Sequence, residues 1–132
     1  MATDVLSATV TEAFARRVTP IEQLAGSAEA VAAACRDLAR AFRRGGRLLV
    51  FGMGTSATDA QHVSVEFVHP VIVGKRALPA FSLVADSATV TGLTQSIGGD
   101  AVFEHQLRVL GREPDIALAI SHTGSCPGVV RG

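Results

Sequence analysis

The order of apolar and polar positions divides the chain into a helical first third and an alternating remainder. Leu6, Val10 and Phe14 recur at one-turn spacing, and Thr19-Pro20 is expected to end that helix and start another. From Ile21, the positions Leu24, Ala28, Val31, Cys35, Leu38 and Phe42 follow in alternating steps of three and four. This a/d seam stops at Gly45-Gly46. So narrow a stripe fits a helix packed on its own domain's sheet, or a helical bundle formed between subunits.

After Gly46 the texture changes. "RLLVFG" (47–52) reads as a short buried strand and "SATDAQHVSVEFV" (56–68) as a helix; "LPAFSLVA" (78–85) is a second strand. Asp86-Ser87 offers caps for a helix that follows. Residues 101–111 place Val102, Phe103, Leu107 and Leu110 on one helical face, and "DIALAIS" (115–121) is a third strand running into "HTGSCPG". Strands that alternate with helices and are apolar on both faces predict a parallel α/β sheet. The expected organisation is an N-terminal helical segment for association, residues 1–46, and an α/β domain, residues 47–132. The third strand lies close to Gly132, so the expectation is a shortened sheet or a partner on its open edge.

Composition narrows the function classes. Twelve basic and twelve acidic residues leave a formal net charge of zero, which advertises neither nucleic acid nor an anionic membrane as a partner. Trp and Tyr are absent, so a platform for stacking bases is not built. A mean hydropathy of +0.34 is high, yet no apolar run approaches the roughly 18–20 residues of a membrane span. The excess suits buried parallel strands, subunit interfaces or both. Cys35 and Cys126 lack CxxC spacing and no secretory signal precedes them, so reduced thiols in a cytoplasmic protein are expected.

Two strand ends carry candidate chemistry. Gly52, Gly54, Thr55 and Ser56 follow the first strand; Ser121, Thr123, Gly124 and Ser125 follow the third. In parallel α/β sheets ligands sit beyond the carboxyl ends of strands. Glycines let backbone approach an anion while hydroxyls and helix-start amides donate to it. A phosphate is the natural ligand, although a tight turn with Ser56 as a helix cap explains the same spacing. The first loop is neither GxGxxG nor a Walker motif, which argues against a dinucleotide. His62 and Glu66 share one helix face at i and i+4. They could bind a divalent metal or place a carboxylate base, or be an ordinary exposed helix pair. His122, inside the second loop, is the other histidine near this chemistry.

Taken in order, "GMGTSATDAQHVSVEF", "LPAFSLVAD", "VFEHQLRVLGREPDIALAIS" and "HTGSCPGVVRG" resemble the sugar isomerase (SIS) domain of phosphoheptose isomerases. The resemblance implies a three-layer sandwich, a parallel sheet flanked by helices and preceded by N-terminal helices, with the family's C-terminal strands missing. It implies conversion of sedoheptulose 7-phosphate to a heptose 7-phosphate through an enediolate. Dimers or tetramers formed through the N-terminal helices, sites between subunits, and zinc come with it. Carried over, Gly54, Thr55, Ser56, Ser121, Thr123 and Ser125 hold the sugar phosphate. His62 and Glu66 become metal ligands, and Glu66 the base that moves a proton between C1 and C2.

This chain also departs from the pattern. The family's G-N-G-G-S reads Gly52-Met53-Gly54-Thr55-Ser56, and S-T-S-G-N-S reads Ser121-His122-Thr123-Gly124-Ser125-Cys126. An Asn-Asp pair becomes Gln95-Ser96, an Arg is matched by Pro70, and the family's C-terminal Gln and His have no counterpart before Gly132. The alternative function is therefore a non-catalytic module that binds a sugar phosphate or a protein partner in a regulatory role.

Overall fold

A computed structural model describes residues 2–132, with side chains from Ser7 onward; the side chain of Leu6 lies outside the described residues. The chain forms two compact units, one through Asp37 and one from Leu38 to Gly132. The first holds α1 (Ala2–Gly26) and most of α2 (Ala28–Arg43). The expected break at Thr19-Pro20 does not occur, because Pro20 lies inside α1. Proline removes one backbone donor, but its φ is already helical, so a long helix can absorb it. The chain breaks instead at Gly26-Ser27, where the Ser27 carbonyl accepts the Val31 amide at 3.1 Å and starts α2. The a/d seam is thus split between two helices.

The second unit is a three-stranded parallel sheet in the order β2-β1-β3. β1 (Leu48–Gly52) lies between β2 (Ala80–Ser82) and β3 (Ile116–Ile120). All five residues of β1 are buried, so its apolar run needs no alternation. Leu49 and Phe51 point to one face and pack with Leu83, Val102, Phe103 and Val129. Leu48 and Val50 point to the other, against Ala60, Ala80, Phe42 and Phe67. Helices therefore cover both faces: α3 (Thr55–Val68) and the end of α2 on one, α5 (Val102–Leu110) and α6 (Pro127–Arg131) on the other. α4 (Ser87–Ile97) begins as expected, with the Asp86 carboxylate accepting from the amides of Ala88 and Thr89 at 3.0 and 3.2 Å. β2 is shorter than the expected 78–85: Ala80, Phe81 and Ser82 pair in register with β1, and the ladder closes with the Leu83 amide on the Val50 carbonyl at 2.8 Å.

The register of β1 on β3 runs from Leu48–Ile116 to Gly52–Ile120, so both strands end level and deliver their loops side by side. Gly52 makes this possible. A Cβ there would lie 2.6 Å from the Ser56 carbonyl oxygen and 2.8 Å from that of Ile120. Both obstacles are backbone and cannot rotate away. Gly52→Ala is therefore expected to cost about 1–3 kcal/mol, read as a lower urea midpoint with an unchanged slope. An unchanged midpoint would show that the two strand ends are not so closely packed.

Candidate functional site

The two loops meet in a cavity of about 110 Å³ at the carboxyl ends of β1 and β3. Thr55, Ser56, Ser121, His122 and Thr123 supply its polar wall, and Met53, Ile120, Cys126 and Val129 complete it. Ser56 is held here because it sits in the first turn of α3, 4% exposed, directly against the end of the sheet. It is not the helix cap: that position is Gly54, with φ 61° and ψ −127°, a conformation reserved for glycine. Gly54 itself borders a neighbouring cavity of about 290 Å³, lined also by Ser87, Thr91 and Thr94. Met53 lines both spaces and so forms the wall between them.

The donors are partly engaged. The amides of Ser56 and Ala57 give 3.2 and 3.1 Å bonds to the carbonyls of Met53 and Gly54, which tightens the first turn of α3. Gly54 and Thr55 make no such backbone bond among the described residues, as is usual for the first amides of a helix. In the second loop, Ser121 Oγ accepts the Gly124 amide at 3.1 Å, and its own proton stays available. Thr123 Oγ1 and Ser125 Oγ share one hydrogen bond of 2.8 Å. Ser125 thus meets the cavity through Thr123 rather than lining it. Uncharged hydroxyls and amides converging on a small polar hollow suit an oxyanion such as a phosphoryl group. A cavity this size is well below the ~300 Å³ of a typical small-molecule site, so the rest of a ligand would lie outside it.

His62 and Glu66 stand elsewhere. Glu66 is ten residues beyond Ser56 on α3, about 15 Å along the helix axis at the usual rise per residue. It borders a separate cavity of about 390 Å³ with Pro70, Lys75 and Arg76. His62 Nε2 lies 3.8 Å from Glu66 Oε1, and the two side chains are 71% and 38% exposed. No group of three His, Cys, Asp or Glu able to hold a metal occurs among the described residues. Zinc takes three protein ligands in catalytic sites and four in structural ones, so the donors present do not fit a zinc centre on their own.

Two lining residues are visible in the sequence only as departures from a pattern, Met53 and Cys126, whereas His122 is marked by its place inside the second loop. Their signal was position, since each sits within one of the two strand-end loops. A larger cavity of about 490 Å³ opens among Leu49, Phe81, Leu93 and Val109, shares no lining residue with the two-loop hollow, and is mostly apolar. No helix among the described residues is long and apolar enough to cross a membrane.

Comparison with known proteins follows the same lines. The SIS domain family matches residues 12–132. The phosphoheptose isomerase of Pelobacter propionicus is 46% identical over 93 residues, which cover 70% of this chain and 49% of that protein. The phosphoheptose isomerase of Solidesulfovibrio magneticus is 41% identical over 103 residues, 78% of this chain and 50% of that protein. Among solved structures, phosphoheptose isomerase GmhA from Neisseria gonorrhoeae aligns with a TM-score of 0.86 at 28% identity, over 96% of this chain and 66% of that one. The chain spans about half the length of the curated relatives it matches.

Proposed function

The chain belongs to the SIS domain family, and from that premise we propose that it is a subunit of a cytoplasmic sugar-phosphate isomerase of the phosphoheptose type. It interconverts sedoheptulose 7-phosphate and a heptose 7-phosphate. The observation that carries this reading is the hydroxyl-lined hollow where β1 and β3 end, with Ser56, Ser121 and Thr123 around space for one phosphoryl group. The Thr55 hydroxyl adds a donor without adding charge.

Glu66 is the proposed base. Its carboxylate takes the proton from the carbon beside the carbonyl, leaving an enediolate, and returns it to the neighbouring carbon. Within one chain the carboxylate opens into a different cavity from the phosphate hollow. The proposed catalytic unit therefore joins the hollow of one copy to the Glu66 cavity of another. Two features support association. Val10, Phe14, Val18, Ile21 and Leu24 form an exposed apolar stripe on α1. Beside Glu66, Val71, Ile72 and Val73 are exposed as well, next to the cations Lys75 and Arg76. Zinc, which the family resemblance brings with it, would find His62 and Glu66 here; the proposed proton transfer assigns no step to it.

The test is direct. Incubated with sedoheptulose 7-phosphate, the protein is expected to form the aldose, followed by NMR. Ser56→Ala is expected to raise KM about tenfold, the loss of one hydrogen bond to a charged group. Absence of turnover at every protein concentration, with and without added zinc, removes the isomerase reading. The separation of Glu66 from the hollow favours one second reading, a module that binds a sugar phosphate without converting it. That reading expects a rise in Tm with the ligand and no aldose.

A further inference from the structure

The phosphate hollow has a second, chemically different wall. Cys126 Sγ donates to Met53 Sδ at 3.5 Å, across 73 residues of sequence. Both residues line the hollow, and so does His122, an exposed side chain of the second loop. Met53 is 36% exposed, and its thioether lies beside glycine backbone. Gly128 and Gly99 leave room for it: a Cβ on Gly128 would lie 2.9 Å from Met53 Sδ, and one on Gly99 3.6 Å from Met53 Cε. Backbone without side chains thus cradles the sulfur against the thiol.

From this we propose that Met53, Cys126 and His122 form a binding site for a soft monovalent cation, Cu(I) or its analogue Ag(I). Thiolate and thioether sulfur select soft ions, and an imidazole nitrogen suits copper as a third ligand. Metal–sulfur bonds of about 2.3 Å let one ion touch two sulfurs up to about 4.6 Å apart, which the Met53–Cys126 separation satisfies without rearrangement. Binding replaces the thiol proton of Cys126 by the ion and releases one proton to solvent. All three residues also stand where this chain departs from the loop patterns it resembles, Asn, Thr and Ser being replaced by a thioether, an imidazole and a thiol. The proposal does not depend on sugar-phosphate turnover, because ion binding is measured without any sugar present.

Cys35 is the other thiol of the chain and is exposed, so the measurements belong in a Cys35→Ser background. Titrated anaerobically with Cu(I) against a chromophoric Cu(I) chelator, that protein is expected to take up one ion per chain. X-ray absorption of the loaded protein is expected to show two sulfur neighbours and one nitrogen. Met53→Leu, which conserves volume, is expected to weaken retention at least tenfold, and Cys126→Ser to abolish it. Failure of the Cys35→Ser protein to retain Cu(I) overturns the proposal. A single-sulfur coordination shell, or retention unchanged by Met53→Leu, overturns it equally.

Discussion

Glu66→Gln is expected to lower the turnover of sedoheptulose 7-phosphate by at least about 100-fold while leaving KM within a few-fold of wild type. A positioned general base contributes roughly 10²–10⁴ in rate, and the amide keeps the shape of the carboxylate but cannot accept a proton. The substitution should leave the fold intact. Glu66 faces His62 only at 3.8 Å on an exposed helix surface, an i,i+4 pair of the kind that contributes about 0.2–0.5 kcal/mol. Stability and activity are thereby separable at this position. The contrast with Ser56→Ala is what identifies the roles: loss of the base should appear in kcat, loss of the phosphate hydroxyl in KM. A Glu66→Gln protein turning over within a few-fold of wild type would remove the carboxylate from the reaction. Mixing Glu66→Gln with Ser56→Ala subunits probes the shared arrangement further, since a mixed pair can contain one site with both groups intact.

Much of the α/β domain is legible from local pattern. β1 and β3 are short apolar runs bounded by glycine or by polar loop residues, and their observed limits fall within one residue of the expected ones. The cap at Asp86 is equally local, because Asp86 satisfies the first turn of α4 with its own side chain. β2 is shorter than its apolar run because residues 83–85 carry strand-like side chains while the chain already turns toward the cap at Asp86, with Leu83 in the core. The helix breaks at Gly26 rather than Pro20 because proline's fixed φ is compatible with helix, whereas glycine is a weak helix former. For the site, the two strand-end loops were readable, but their joining depends on β3 lying beside β1 rather than beside β2. The 15 Å between Ser56 and Glu66 follows from helix geometry once both are placed on α3. What no local pattern could show is the Cys126–Met53 contact, because it brings together the two loops only after the sheet has formed.

One charged clamp ties β1 to β3 at the opposite end of the strands, and Asp115→Asn is expected to be clearly destabilising. Asp115 Oδ1 accepts the Arg47 amide at 2.8 Å, Oδ2 accepts the Arg47 guanidinium at 2.6 Å, and Oδ2 also accepts the Arg112 amide at 3.0 Å. The Asp115 side chain is 5% exposed and that of Arg47 21%, so water replaces little of what is lost. Replacing the carboxylate of such a part-buried pair costs about 1.5–3 kcal/mol, enough to reduce the folded-to-unfolded ratio roughly 10- to 100-fold. The side-chain hydrogen bond from Arg47 holds the Asp115 carboxyl below its ordinary 3.8 against the opposing effect of burial. Because the folded pKa is depressed, the contribution is complete above about pH 5 and is lost as pH falls through 3.8 toward the folded value. Arg47 stays protonated throughout, its own pKa raised by the same hydrogen bond. Urea midpoints at pH 7 should thus separate wild type from Asp115→Asn widely, and the gap should narrow at pH 3. An equal gap at both pH values would mean that the carboxylate's charge is not what fixes β3 against β1. Since Leu48–Ile116 and Gly52–Ile120 belong to one register, loosening the clamp should also weaken phosphate binding in the hollow at the far end, without any residue of that hollow having been changed.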